Sequence, residues 1–93
     1  MTSSAVDNLS RLGITLPDAP APAANYVPYV TVGNMVFVSG QLPLVEGKLS
    51  VTGHVGKDVT TEQAAKQARQ CAINLLAQLN SACGGDLGRV KQV

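Results

Sequence analysis

The chain has 93 residues, 45% apolar and 14% charged, which is globular composition and the length of one small domain whose own core can only be modest. Seven Lys and Arg against six Asp and Glu give a net charge of +1, with no basic block able to follow a phosphate backbone, so nucleic acid is not expected as a partner. No segment approaches the ~20 apolar residues that span a bilayer, and the opening MTSSAVDNLSRLG lacks a basic stretch followed by a long apolar one; a cytoplasmic chain with no membrane partner is expected.

The first element is a short helix over about residues 4–12. Ser3 and Ser4 are good caps, Asp7 lies in the first turn, and Val6, Leu9 and Leu12 make a stripe that ends at Gly13. Ile14 and Leu16 should tuck it against the body. Pro17, Pro20 and Pro22 among alanines then make an extended surface connector, so residues 1–24 read as a lead-in and 25–93 as the domain proper.

Val27 to Val32 and Met35 to Ser39 are β-rich runs joined by Gly33-Asn34, a pair that suits a type II′ hairpin turn because glycine accepts positive φ at its first position. That turn sets the register: Val32 opposite Met35 and Val30 opposite Phe37, all four on one face and read as sheet packing. Lys48 to Thr52 alternates well enough for a third short strand, and Gly53 and Gly56 make a loop.

From Thr60 onward the pattern is helical. Thr60 and Gln63 have capping-box spacing, and Glu62 favours the positive end of the helix dipole. Ala64, Ala65, Ala68, Cys71, Ala72, Leu75, Leu76, Leu79, Ala82 and Cys83 form the expected buried face, with Lys66, Arg69, Gln70 and Asn80 opposite, and Gly84-Gly85 ends the helix. On such a helix Cys71 and Cys83 stand about 18 Å apart, well beyond the roughly 7 Å that a disulfide allows; they read as buried thiols. After a turn at Asp86 to Arg89, Val90 to Val93 reads as the start of another strand, which implies a chain that stops in mid-element.

Little of this carries chemistry. His54 is the only histidine and sits in a glycine-flanked loop, neither cysteine lies near it with ligand spacing, and no glycine-rich phosphate cradle is present, so neither metal nor cofactor is expected. The candidate site is Ser39-Gly40-Gln41 at the end of the second strand. Glycine there permits close approach of a ligand to the backbone, and Ser and Gln add donors.

Asn25-Tyr26 leading into a strand, then Gly33-Asn34-Met35-Val36-Phe37-Val38-Ser39-Gly40-Gln41-Leu42-Pro43, then a helix carrying Gln67, Ala72-Ile73-Asn74 and Leu79, resembles the N-terminal part of the RidA family, also called YjgF or endoribonuclease L-PSP. The resemblance implies a chorismate-mutase-like α+β fold, with a β-hairpin and further strands on a long helix, and homotrimers with clefts between subunits. It implies hydrolysis of imino or enamino acids to 2-keto acids and ammonia, without metal or cofactor. It places Tyr26, Ser39, Gly40 and Gln41 at the substrate. The family's carboxylate-gripping arginine lies on a later strand, which has no counterpart in these residues, so the chain alone is expected to be inactive. Val27 and Pro28 depart from the family's usual residues after the tyrosine. Binding without turnover, and a ribonuclease or translation-inhibitor role, stand as alternatives.

Overall fold

A computed structural model of the chain describes residues 4–19 and 27–93. Tyr26 and the stretch 20–25 of the proline-rich lead-in lie outside the described residues. The elements, in order, are α1 (Ser4–Arg11), β1 (Tyr29–Val32), β2 (Met35–Val38), α2 (Thr61–Ala82) and a 3-10 turn (Leu87–Arg89).

Helix α1 ends as its sequence requires. Gly13 takes φ +72°, and the amides of Gly13 and Ile14 reach back to the carbonyls of Ser10 and Leu9 at 3.1 and 2.9 Å, a glycine-terminated helix end. Ile14 and Leu16 are half-buried, as expected, but Val6 and Leu12 remain exposed, so only Leu9 of the apolar stripe is half-buried.

The hairpin has the register its turn dictates. Val32 pairs with Met35 and Val30 with Phe37 in an antiparallel two-stranded sheet. Gly33 has φ +57° while Asn34 is not in the left-handed region, which is the requirement of a type II′ turn. The packing is the reverse of the expectation, however. Val30, Val32, Met35 and Phe37 are 46–63% exposed, whereas Tyr29, Val36 and Val38, on the other face, are half-buried and turn toward α2.

Two further strand expectations fail. Residues 48–52 form no strand; Val45 and Lys48 instead make an isolated bridge across Glu46-Gly47. Residues 90–93 are irregular. Alternation supplies a face but not a partner, and without a neighbouring ladder a β-rich run leaves its amides to solvent.

Helix α2 begins with the expected box: the Thr60 amide donates to Gln63 Oε1 at 2.8 Å and the Gln63 amide to Thr60 Oγ1 at 3.1 Å. It ends at Gly84, φ +66°, with Gly85 N–H donating to Asn80 O at 2.8 Å and Arg89 Nη1 donating to Cys83 O at 3.3 Å. Its buried face is displaced from the expected one. Asn74 and Gln78 are 1% exposed and Ala77 is 3%, while Ala65, Ala68, Ala72 and Leu75 face solvent and Gln70 is half-buried. Apolar residues cover more than half of this helix's circumference, and a two-stranded hairpin is wide enough to cover only one sector. Among the described residues the buried apolar ones are Val59, just before the start of α2, and Ala77, Cys83 and Leu87, in and just beyond its C-terminal half. Both cysteines are free thiols, Cys83 buried and Cys71 half-buried.

Candidate functional site

Strand β2 stops at Val38, and the chain then turns through a corner held from two sides. On the hairpin side, Ser39 N–H donates to Pro28 O at 2.9 Å and Ser39 Oγ donates to Val27 O at 2.6 Å. Pro28 can give nothing to the ladder, but its carbonyl accepts, so the irregular lead-in to β1 becomes an anchor.

On the helix side, Leu42-Pro43-Leu44 forms a γ-turn, Leu44 N–H donating to Leu42 O at 2.8 Å. The fixed φ of proline suits the central position of that turn. Asn74 of α2 then donates from Nδ2 to both Leu42 O, 2.9 Å, and Leu44 O, 3.0 Å, while its Oδ1 accepts from Gln70 Nε2 at 3.1 Å. All the capacity of this buried amide to donate, and one of its accepting positions, is used.

Gly40 and Gln41 are suspended between these anchors. Gln41 Nε2 donates to Ser39 O at 2.9 Å and to Gly40 O at 3.3 Å, and because both partners are carbonyls the amide orientation is determined. This corrects the expectation that Ser39 and Gln41 would offer donors. Their O–H and N–H groups are turned onto backbone carbonyls of Val27, Ser39 and Gly40, which leaves Gln41 Oε1 and the Ser39 Oγ lone pairs as acceptors. Gly40 is exposed, is not in the left-handed region, and a Cβ built on it would meet no heavy atom within 4 Å. Neither its backbone conformation nor crowding among the described residues requires glycine there.

Other candidates fall away. His54 is a loop anchor, its carbonyl accepting from Lys57, Asp58 and Val59 at 3.1, 2.9 and 3.1 Å and its N–H donating to Asp58 Oδ2 at 3.2 Å. Arg11 is tied to Asn8 Oδ1 at 2.7 Å and Arg89 to the end of α2, so neither serves the corner. A cleft of about 460 Å³ beside α1, lined by residues such as Val6, Leu9, Ile14, Leu16 and Leu87, contains no titratable side chain. Among the described residues no cluster of His, Cys, Asp and Glu could hold a metal, and no helix is long and apolar enough to cross a membrane. Asn74 and Gln70 were assigned no site role from sequence; the signal for them is the amide row Gln70, Asn74, Gln78 at i, i+4 spacing, on a helix whose neighbouring positions are mostly apolar.

A family model described as YjgF/chorismate mutase-like, putative endoribonuclease, matches residues 7–93. The chain belongs to this family. It is 48% identical over 86 residues to Protein TCP17 of Trypanosoma cruzi, covering 92% of the chain and 53% of that protein. It is 37% identical over 76 residues to the RutC family protein y4sK of Sinorhizobium fredii, covering 82% and 53%. The chain thus spans about half the length of these relatives. Two solved structures share the fold. Atu1372 of Agrobacterium tumefaciens, a protein of unknown function, is 46% identical with a TM-score of 0.78, covering 94% of this chain and 51% of its own. A Shewanella oneidensis protein described as a putative endoribonuclease is 39% identical with a TM-score of 0.86, covering 95% and 58%. The α+β, chorismate-mutase-like architecture that the family resemblance implied is therefore the fold of the chain.

Proposed function

We propose that this chain carries part of the cleft of a RidA-type enamine/imine deaminase, which hydrolyses reactive 2-imino acids to 2-keto acids and ammonia. The observation that carries the reading is Gly40: a glycine that neither its backbone conformation nor crowding among the described residues requires, exposed, at the centre of a corner pinned at both ends. Glycine at such a place suits the close approach of a ligand to the backbone.

The chemistry fits the acceptors left at the corner. Water adds to the imine carbon, the nitrogen takes a proton, and collapse of the carbinolamine forms the C=O bond as ammonia leaves. Gln41 Oε1 and Ser39 Oγ suit the N–H groups of the iminium and of the departing nitrogen. The carboxylate calls for a bidentate guanidinium; Arg11 and Arg89 are engaged elsewhere and Arg69 is an exposed residue of α2 that no hydrogen bond ties to the corner, so the reading takes that group from outside these residues. Because imines hydrolyse readily in water, positioning suffices without a strong base. The reading includes a homotrimer, in which a neighbouring copy closes the cleft.

The test is ammonia release from freshly generated 2-iminopropanoate, using the 93 residues alone and the same residues joined to the unmatched portion of the Trypanosoma cruzi relative. Acceleration by the joined chain but not by the short one is expected. Ligand-dependent melting without ammonia release would replace the enzyme with a binding protein, and RNA cleavage with a steep salt dependence would replace it with a nuclease.

A further inference from the structure

Asn74 lies on α2, outside the Ser39-Gly40-Gln41 corner, yet the hydrogen bonds by which α2 holds Leu42 and Leu44, just after that corner, pass through its amide. We infer that Asn74 is a positioning residue for the corner: its paired donors to Leu42 O and Leu44 O, rather than packing of α2 against the hairpin, set where Gly40 and Gln41 stand. The inference rests on the reading of the corner as a ligand site, and it names what holds that site in shape.

Three observations carry it. First, Asn74 is 1% exposed, and a buried amide that lost these partners would incur the full cost of its desolvation, so the geometry is over-determined. Second, the two carbonyls it grips flank Pro43, and Leu42 O is shared between Asn74 Nδ2 and Leu44 N–H. Closing the γ-turn and docking it on α2 are thereby one event. Third, Gln70 Nε2 donates to Asn74 Oδ1, which fixes the amide so that Nδ2 and not Oδ1 faces the carbonyls; the reversed amide would set three oxygens against one another. Packing of the turn is only partial: Leu42 is 43% exposed, and Pro43 and Leu44 are half-buried rather than buried, so the directional bonds to Asn74 set its register more sharply than apolar contact does. The same logic governs metal sites, where partners of the ligating groups fix orientation that the ligands alone do not.

The experiment compares Asn74→Leu, which keeps the shape of the side chain and donates nothing, with the parent chain. Amide hydrogen exchange is read at Leu44, whose N–H closes the γ-turn, and at Ser39 and the hairpin amides as internal controls. Titration with 2-oxobutanoate, a product-class keto acid, is followed at the Gly40 and Gln41 amide resonances of the chain at the relatives' length. Expected for Asn74→Leu are exchange at Leu44 at least tenfold faster, hairpin amides within twofold of the parent, and keto-acid affinity lower by about tenfold. Unchanged Leu44 exchange, or acceleration shared equally by all amides, overturns the inference. Should Asn74→Leu fail to fold, Gln70→Leu removes only the bond that orients the amide; a several-fold increase confined to Leu44 is expected, and the lack of any increase overturns the proposal. Failure of the parent to bind 2-oxobutanoate counts against the deaminase reading instead, since Leu44 exchange judges the clamp without any ligand.

Discussion

Gly40 and Glu46 are opposite cases of one rule, that a residue type matters where the backbone or a neighbour demands it. Among the described residues Gly40 meets neither demand: its φ is not left-handed and a Cβ there would meet no heavy atom within 4 Å. Gly40→Ala should therefore leave stability within about 0.5 kcal/mol in chemical denaturation, while keto-acid binding or imine hydrolysis by the relatives'-length chain falls at least tenfold. Full retention of both would remove the main support for the corner as a ligand site. Glu46 has the demand without the residue. It takes φ +52°, followed by Gly47 at φ +79°, and Val45 and Lys48 exchange backbone bonds of 3.0 Å around the pair, which is a type I′ turn needing left-handed conformation at both positions. Asn-Gly is the preferred pair for that turn, and a non-glycine side chain in this region costs roughly 1–2 kcal/mol. Glu46→Asn is expected to stabilise by about 0.5–1 kcal/mol, read from a higher denaturant midpoint at unchanged slope.

At the scale of elements, α2 has a start that depends on one side chain. Thr60 and Gln63 satisfy each other's backbone amides, and Thr60→Ala leaves the Gln63 amide without that partner. A loss of about 1 kcal/mol is expected, seen as a fall in Tm of roughly 4–8 °C; a variant that melts with the parent would show that α2 is held by tertiary packing alone. These ends were legible in the sequence because caps and tight turns are local: Thr60 with Gln63, Gly33 with Asn34, Gly84 after Ala82. Faces were not. The apolar positions of α2 allowed several burial directions, and the hairpin selected the one centred on Asn74 and Gln78, which hydrophobic periodicity would place last. The residues 48–52 misled for a related reason, since alternation is the signature of a strand only where a partner supplies the ladder. The place of the corner at the end of the hairpin was legible, but its hydrogen bonding was not: the turning of the Ser39 O–H onto Val27 O and of the Gln41 amide onto Ser39 O and Gly40 O depends on geometry that residue type does not specify.

At the scale of the whole chain, the two faces of the sheet are unequally covered. One face is held by α2; the other shows Val30 at 46%, Val32 at 63%, Met35 at 59% and Phe37 at 55% exposure. Four large apolar side chains on so small a sheet form a contiguous patch of the kind monomers seldom leave uncovered, and a two-stranded sheet has little stability of its own. Covering the remaining exposed area is worth on the order of 1 kcal/mol per side chain, enough to drive association between copies when several chains contribute. Val32→Lys combined with Phe37→Asp places opposite charges diagonally across this face, so the hairpin is spared like-charge repulsion while the patch loses its apolar character. Sedimentation of the parent at the relatives' length is expected to give a trimer, and of the double variant a monomer that retains the far-ultraviolet signature of α2. A monomeric parent at tens of micromolar would sink the assembly reading and, with it, a cleft shared between subunits. The corner and the patch are linked through β2, whose outward residues lie on the patch and whose last residue leads into Ser39. An interface there would therefore stiffen the hairpin end of the corner while Asn74 stiffens the helix end, and ligand binding should tighten with protein concentration across the association range.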